Sequence, residues 1–175
     1  NDKDVNSEVV KNSGITFLEG YLWDEGDPKK AFDKAIDNSN KVAMSLSDIF
    51  CVQRHKSQFL DMVINKLDIT FCNEQEIYSL IDTKNFNEVV SFCKSTKRLI
   101  VVTRGEKGSI VINNNDVVEC ESKKNLSIKD LTGAGDLFAA GFLHGYINNS
   151  SLQESLKLGT DMSSKIIQKI GARLN

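Results

Sequence analysis

Short apolar runs alternate with amphipathic stretches along nearly the whole chain, and this alternation restricts the fold more than any other feature. Residues 15–19, 41–46, 67–72 and 98–103 read as strands, the last rich in branched side chains. Between them, Pro28 opens a helix that sets Ala31, Phe32, Ala35 and Ile36 on one face. A second helix over residues 55–65 turns Phe59, Leu60, Val63 and Ile64 inward, and two more follow over 75–80 and 85–95. Residues 109–112 and 117–119, separated by Asn113-Asn114-Asn115-Asp116, read as a hairpin, and helices over 135–147 and 152–170 close the chain. Strand and helix taking turns across short loops predicts an α/β fold: a doubly wound, mostly parallel sheet with helices on both faces. Such sheets bind ligands beyond the carboxyl ends of their strands. That rule collects three segments at one rim: Asn73, residues 103–108 and the turn at 133–136.

The 175 residues, 40% hydrophobic and 26% charged, suffice for one domain with a core. A net charge of −2 leaves no basic footprint for a nucleic-acid partner, and Lys29-Lys30 and Lys123-Lys124 read as solvated surface. Cys51, Cys72, Cys93 and Cys120 are scattered without a C-x-x-C pair, which points to a reducing, cytoplasmic setting. Cys72 and Cys93, among apolar neighbours, read as small buried hydrophobes. No apolar run approaches the roughly 20 residues that span a bilayer, so no membrane partner is expected. Gly141-x-x-x-Gly145 lies in a helix too short to span, and close packing on the sheet is its expected role. His144, within that helix, and Trp23 with Tyr21, near the end of the first strand, read as structural.

Thr132-Gly133-Ala134-Gly135-Asp136, followed at once by an apolar helix, carries the chemistry. Small residues let the backbone approach a ligand, and the helix aims unpaired N–H groups and its positive dipole end at the turn. A phosphate fits there. Asp136 then stands where a base would take a proton from an attacking hydroxyl, or alternatively caps its helix.

Asp130-Leu131-Thr132-Gly133-Ala134-Gly135-Asp136 resembles the C-terminal signature of the ribokinase-like, PfkB-type carbohydrate and nucleoside kinases, with Leu131 where the family commonly has threonine. The branch it looks most like is that of the bacterial adenosine kinases. The resemblance runs from Phe17-Leu18-Glu19-Gly20-Tyr21-Leu22-Trp23, through Thr103-Arg104-Gly105-Glu106-Lys107-Gly108, to Gly171-Ala172-Arg173. Ser47 to His55 also resembles that branch; its Arg54-His55 pair either touches a ligand or is a surface feature. The resemblance implies a ribokinase-like kinase domain of which residues 1–175 are the C-terminal part, the first strands and a β lid lying upstream. It further implies a homodimer formed through that lid, and a piece inactive on its own.

The resemblance also implies the roles. Asp136 is the general base, and Gly133, Ala134 and Gly135 are the anion hole. Asn73, Thr103, Gly105, Gly108 and Thr132 line ATP, although residues 103–108 also read as a plain turn. Glu76, in Asn73-Glu74-Gln75-Glu76, holds Mg2+ through water, and the same spacing is an ordinary capping box. Asp130 and the Gly171-Ala172 loop hold K+. The expected reaction moves the γ-phosphate of ATP to a primary hydroxyl of adenosine or a related sugar, the small-molecule partner. A ribokinase- or fructokinase-type activity, or a nucleotide-binding module without turnover, are the alternatives.

Overall fold

The computed structural model describes residues 1–23 and 28–174. Six strands are hydrogen-bonded in chain order: β1 Thr16–Glu19, β2 Val42–Ser45, β3 Ile69–Asn73, β4 Leu99–Thr103, β5 Ser109–Asn113 and β6 Asp116–Cys120. β1, β2 and β3 run parallel, with Phe17 opposite Ala43 and Met44 opposite Thr70. Asn114 turns the chain between β5 and β6 with φ 55°, a left-handed conformation that asparagine tolerates in a two-residue hairpin loop. The result is a mostly parallel sheet with helices, as the alternation predicts. The chain divides into two compact units, one of residues 1–101 with 112–115, the other of residues 102–111 with 116 onward.

In the first unit, β2, β3 and the start of β4 are buried on both faces: Ala43, Met44, Ile69, Ile100 and Val101 are at most 1% exposed. Their near-continuous apolar sequence follows from that double burial. α1 (Ser7–Lys11) is a short helix capped by Asn6 that the sequence pattern does not announce. α2 (Lys29–Asn38) starts after Pro28, whose φ of −78° suits a helix start, and buries Phe32 and Ala35. The helix expected over 55–65 is present in two contiguous pieces, and a further short helix that the sequence pattern does not announce precedes it. α3 (Ile49–Arg54) is capped by Asp48, whose carboxylate accepts from the Cys51 N–H at 2.7 Å. α4 (Lys56–Asp61) follows a break at His55, and a π-helical turn over Met62–Lys66 ends with the Leu67 N–H donating to the Met62 carbonyl at 2.9 Å. The wider turn changes the phase, so Met62 and Val63 are buried while Ile64 is exposed. Trp23, half-buried, packs edge-on against Phe32, ring centroids 5.0 Å apart; Tyr21 is exposed. α5 (Glu74–Ile81) and α6 (Phe86–Thr96) complete the unit.

The second unit is organised by α7 (Ala134–Ile147) and α8 (Leu152–Ile166). The glycines at 141 and 145 pack α7 on α8 rather than on the sheet. A Cβ on Gly141 would stand 2.6 Å from the Leu158 carbonyl oxygen, and one on Gly145 would stand 2.8 Å from Ser155 Oγ. Gly159 answers from α8, where a Cβ would meet the Phe138 carbonyl at 2.8 Å. His144, on the last turn of α7, is exposed rather than packed. α8 stops four residues before the expected end at 170. The Ile167 carbonyl accepts from the Lys129 N–H at 2.8 Å and the Asp130 N–H at 3.3 Å, so a neighbouring loop terminates the helix. No helix among the described residues is long and apolar enough to cross a membrane.

Candidate active site

Two glycine turns in the second unit face one cavity of about 370 Å3. The first leaves β4 at Thr103 and closes with the Arg104 N–H donating to the Gly108 carbonyl at 2.8 Å. Gly105 has φ 58° and Gly108 φ 90°, both in the left-handed region where a Cβ is strained. The two glycines differ in what else demands them. A Cβ on Gly108 would lie 2.1 Å from the Cys120 carbonyl oxygen, so this glycine is required by the protein's own packing. One on Gly105 would meet nothing within 4 Å.

The second turn enters α7. Gly133 has φ 76°, and a Cβ there would press on Ala172 at 3.0 Å. Ala134 and Gly135 line the cavity, and nothing lies within 4 Å of where a Gly135 Cβ would be. The space above Gly135 is thus open to a ligand beside a helix N-terminus, whose dipole and first-turn N–H groups favour an anion, although the Ala134 N–H already donates to the Leu131 carbonyl at 3.1 Å. Asp136 follows in the first turn of α7, exposed, and α7 begins with no side-chain cap. Thr103, Gly105, Gly108, Ala134 and Gly135 therefore share one cavity, while Gly133 and Asp136 flank it in sequence.

Asp130 and Thr132 form a latch beside the turn. One Asp130 oxygen accepts from the Thr132 N–H at 2.9 Å and the Thr132 hydroxyl at 2.7 Å; the other accepts from the Gly171 N–H at 2.9 Å. The Thr132 N–H, the Gly171 N–H and the Thr132 hydroxyl, in that order, hold the Asp130 carboxyl down at about 2. Neither residue lines the cavity; together they fix the 171–172 loop against the turn that Gly133 ends.

Asn73 and Glu76 belong to the first unit, where Asn73 ends β3 and caps α5. Its side-chain oxygen accepts from the Gln75 and Glu76 N–H groups, both at 2.9 Å, and the Asn73 N–H donates to Glu76 at 2.9 Å. The Asn73 amide also donates to the other Glu76 oxygen. The capping box is thus present in full. Glu76 is only 4% exposed, and burial pushes its carboxyl up to about 7 against the pull of the Asn73 N–H, with the Asp48 and Glu19 carboxylates adding to the rise. Ser47, at φ 70°, donates to Glu19 and accepts from the Tyr21 N–H at 3.0 Å. Among the described residues no three His, Cys, Asp or Glu side chains are grouped to hold a metal ion by themselves.

Apart from Leu131, the rest of the cavity wall was not marked by any sequence motif. It is apolar at Leu126, Ile128, Leu131, Phe138 and Ile167, and hydroxyl-bearing at Ser109, Thr160 and Ser164. Leu131, the departure from the family signature, contributes an apolar surface where threonine would have brought a hydroxyl.

The sequence profile of the pfkB family carbohydrate kinases matches residues 2–175. This chain belongs to that family. As a pfkB chain it superposes with a TM-score of 0.95 on the adenosine kinase from Sinorhizobium meliloti, at 38% identity, covering 99% of this chain and 54% of that one. A probable sugar kinase from Rhizobium etli CFN 42 gives a TM-score of 0.93 at 36% identity, covering 98% of this chain and 54% of its own. A nucleoside kinase of Methanocaldococcus jannaschii is 28% identical over 153 residues, 86% of this chain and 49% of that protein. The chain thus spans about half the length of the family relatives it matches.

Proposed function

We propose that the full-length protein carrying this chain is an ATP-dependent kinase that phosphorylates a primary hydroxyl of adenosine or a related sugar. The observation that carries this reading is the shared cavity: two glycine turns line one space, and both Gly105 and Gly135 leave it open where a side chain would stand. In this reading the triphosphate lies against both turns, and the N–H groups of Gly133 and Gly135, with that of Ala134 shared with the Leu131 carbonyl, neutralise charge developing on the transferred phosphoryl group. Asp136 accepts the proton of the attacking hydroxyl, and it has no capping bond to surrender first. Adenosine is favoured as acceptor by the Sinorhizobium likeness, and a sugar is the second reading on the strength of the Rhizobium one.

Magnesium fits the residues we assign to it. Asn73 and Glu76 offer the hard oxygen donors it prefers, and a buried carboxyl raised to about 7 within the field of the Asp48 and Glu19 carboxylates is a place where positive charge is welcome. With too few grouped ligands for a cage, these residues would hold the ion through water. Magnesium, when bound, neutralises negative charge on the phosphates. A potassium ion fits the Asp130 latch less directly, because both carboxylate oxygens already accept N–H or O–H bonds; backbone carbonyls of that loop and of residues 171–172 would have to supply the ligands.

The test is steady-state turnover of the full-length protein with ATP and, in turn, adenosine, ribose and fructose. Adenosine is expected to be the best acceptor, and Asp136→Asn to lower kcat by about 100-fold or more with ATP affinity kept. Unchanged kcat in that variant would remove Asp136 from the mechanism; no turnover with any acceptor would remove the reading.

A further inference from the structure

Asp130 joins three parts of the second unit through one residue. Its carboxylate accepts from the Thr132 N–H and hydroxyl with one oxygen and from the Gly171 N–H with the other. Its own N–H, with that of Lys129, donates to the Ile167 carbonyl at the end of α8. The loop held in this way bears on the anion turn. Gly133, the residue that opens α7, has the Ala172 Cβ 3.0 Å and the Ala172 carbonyl oxygen 3.3 Å from where a Cβ of its own would stand. Ala172 therefore backs Gly133, and the Asp130 bond to Gly171 fixes the residue next to Ala172. These contacts do not fit the potassium ion that the family signature implies there. Potassium gives up its water only for a shell of oxygen acceptors turned toward one point. A carboxylate offers about four acceptor positions. Here three are filled by hydrogens whose positive ends would face the ion. Two neighbouring carbonyls are engaged as well: Ile167 accepts from Lys129 and Asp130, and Leu131 accepts from Ala134.

We propose that Asp130 is a positioning residue of the anion turn, that its bonds to Thr132 and Gly171 hold the turn as a bound cation otherwise would, and that turnover needs no monovalent cation. The proposal rests on the kinase reading above and adds to it what keeps the turn in shape. N–H groups that stabilise developing charge are effective because they are aimed before the charge appears. Asp130 does not line the cavity, so its effect passes through the backbone it ties down. An anionic carboxylate bonded to N–H and O–H groups is held by charge-assisted bonds, roughly twice as strong as neutral ones. The three together link the residues before the turn to the loop behind it without an ion between them.

The experiment measures turnover of the full-length protein in potassium chloride and in tetramethylammonium chloride at equal ionic strength. The two kcat values are expected to agree within about threefold. Asp130→Asn sets an amide N–H2 against N–H donors, and should lower kcat about tenfold while KM for ATP changes less than about threefold, because the aim of the turn matters most in the transition state. Should that variant melt too low to assay, Thr132→Val, which loses only the hydroxyl bond, takes its place with an expected fall in kcat of about threefold. Activation of the parent by potassium beyond about threefold, or a kcat unchanged in the variant assayed, overturns the proposal. Amide exchange of the ligand-free protein gives a readout that needs no turnover. Residues 131–136 should exchange alike in both salts in the parent and faster in Asp130→Asn, with β2 and β3 unaltered. If no phosphate is transferred under any condition, the kinase reading fails separately. Exchange then decides: slowing of residues 131–136 by potassium in the parent, or exchange unchanged in Asp130→Asn, overturns the proposal.

Discussion

Glu76 concentrates the electrostatic tension of the first unit in one side chain. Its carboxyl is buried, bonded to Asn73 from both oxygens, and faces the field of Asp48 and Glu19. The capping bonds favour the charged form, and burial with the two neighbours favours the neutral one; burial wins, because the carboxyl rises to about 7. A carboxyl raised from 4.5 to about 7 by folding keeps a proton that the unfolded chain has lost. Its contribution to stability is therefore complete below about pH 4.5 and is lost as pH climbs through 7. Urea-unfolding midpoints taken in EDTA at about pH 5, 6 and 7 should fall with rising pH in the parent, and Glu76→Gln should flatten that decline. Parallel profiles in the two proteins would mean that the slope comes from other groups.

α7 meets two different demands with the same residue type. At its first turn Gly135 has open space where a Cβ would go; two turns later Gly141 has the Leu158 carbonyl 2.6 Å from that point. Gly135→Ala should leave stability unchanged or slightly raised, since alanine is the better helix former by about 1 kcal/mol, while weakening nucleotide binding by filling the cavity. Gly141→Ala should do the reverse, costing about 1–3 kcal/mol through overpacking at the α8 contact. Thermal melts with and without ATP check both; a Gly135→Ala protein that binds ATP as the parent does would show that the space above Gly135 is not used. The glycines were legible in the sequence as small residues, but not which of them faces a ligand and which a neighbouring helix, because that depends on what stands opposite. β2 to β5 were legible because double burial writes itself as apolar runs. α3 was not, at six residues too short for a periodic signal, and the π-helical turn after α4 shifted a phase that periodicity takes as constant. Ser109 and Thr160 left no mark either: a strand residue and a helix residue become parts of one wall only when the chain is folded.

Across the whole chain, the three segments that sequence reasoning assigned to one rim divide between the two units. The turns at 103–108 and 133–136 lie in the second unit, and Asn73 with Glu76 in the first. The division gives the nucleotide reading a spatial prediction. A ligand that binds only the folded form suppresses the local openings that expose its contacts, and amide exchange slows where those contacts are. ADP added in EDTA should slow exchange in residues 103–109, 131–138 and 160–167, the cavity wall. β1 and β2, whose residues do not line that cavity, should exchange as before. Magnesium is left out so that Glu76, whose charge state responds to any cation, does not contribute a change of its own. Protection confined to the first unit would place the nucleotide away from the glycine turns and remove the phosphate cradle from the argument. Protection in the 131–138 segment alone would keep the anion turn but leave the rest of the cavity wall without a ligand. Slowing of all three segments together is the result that a nucleotide laid across both turns and against α8 requires.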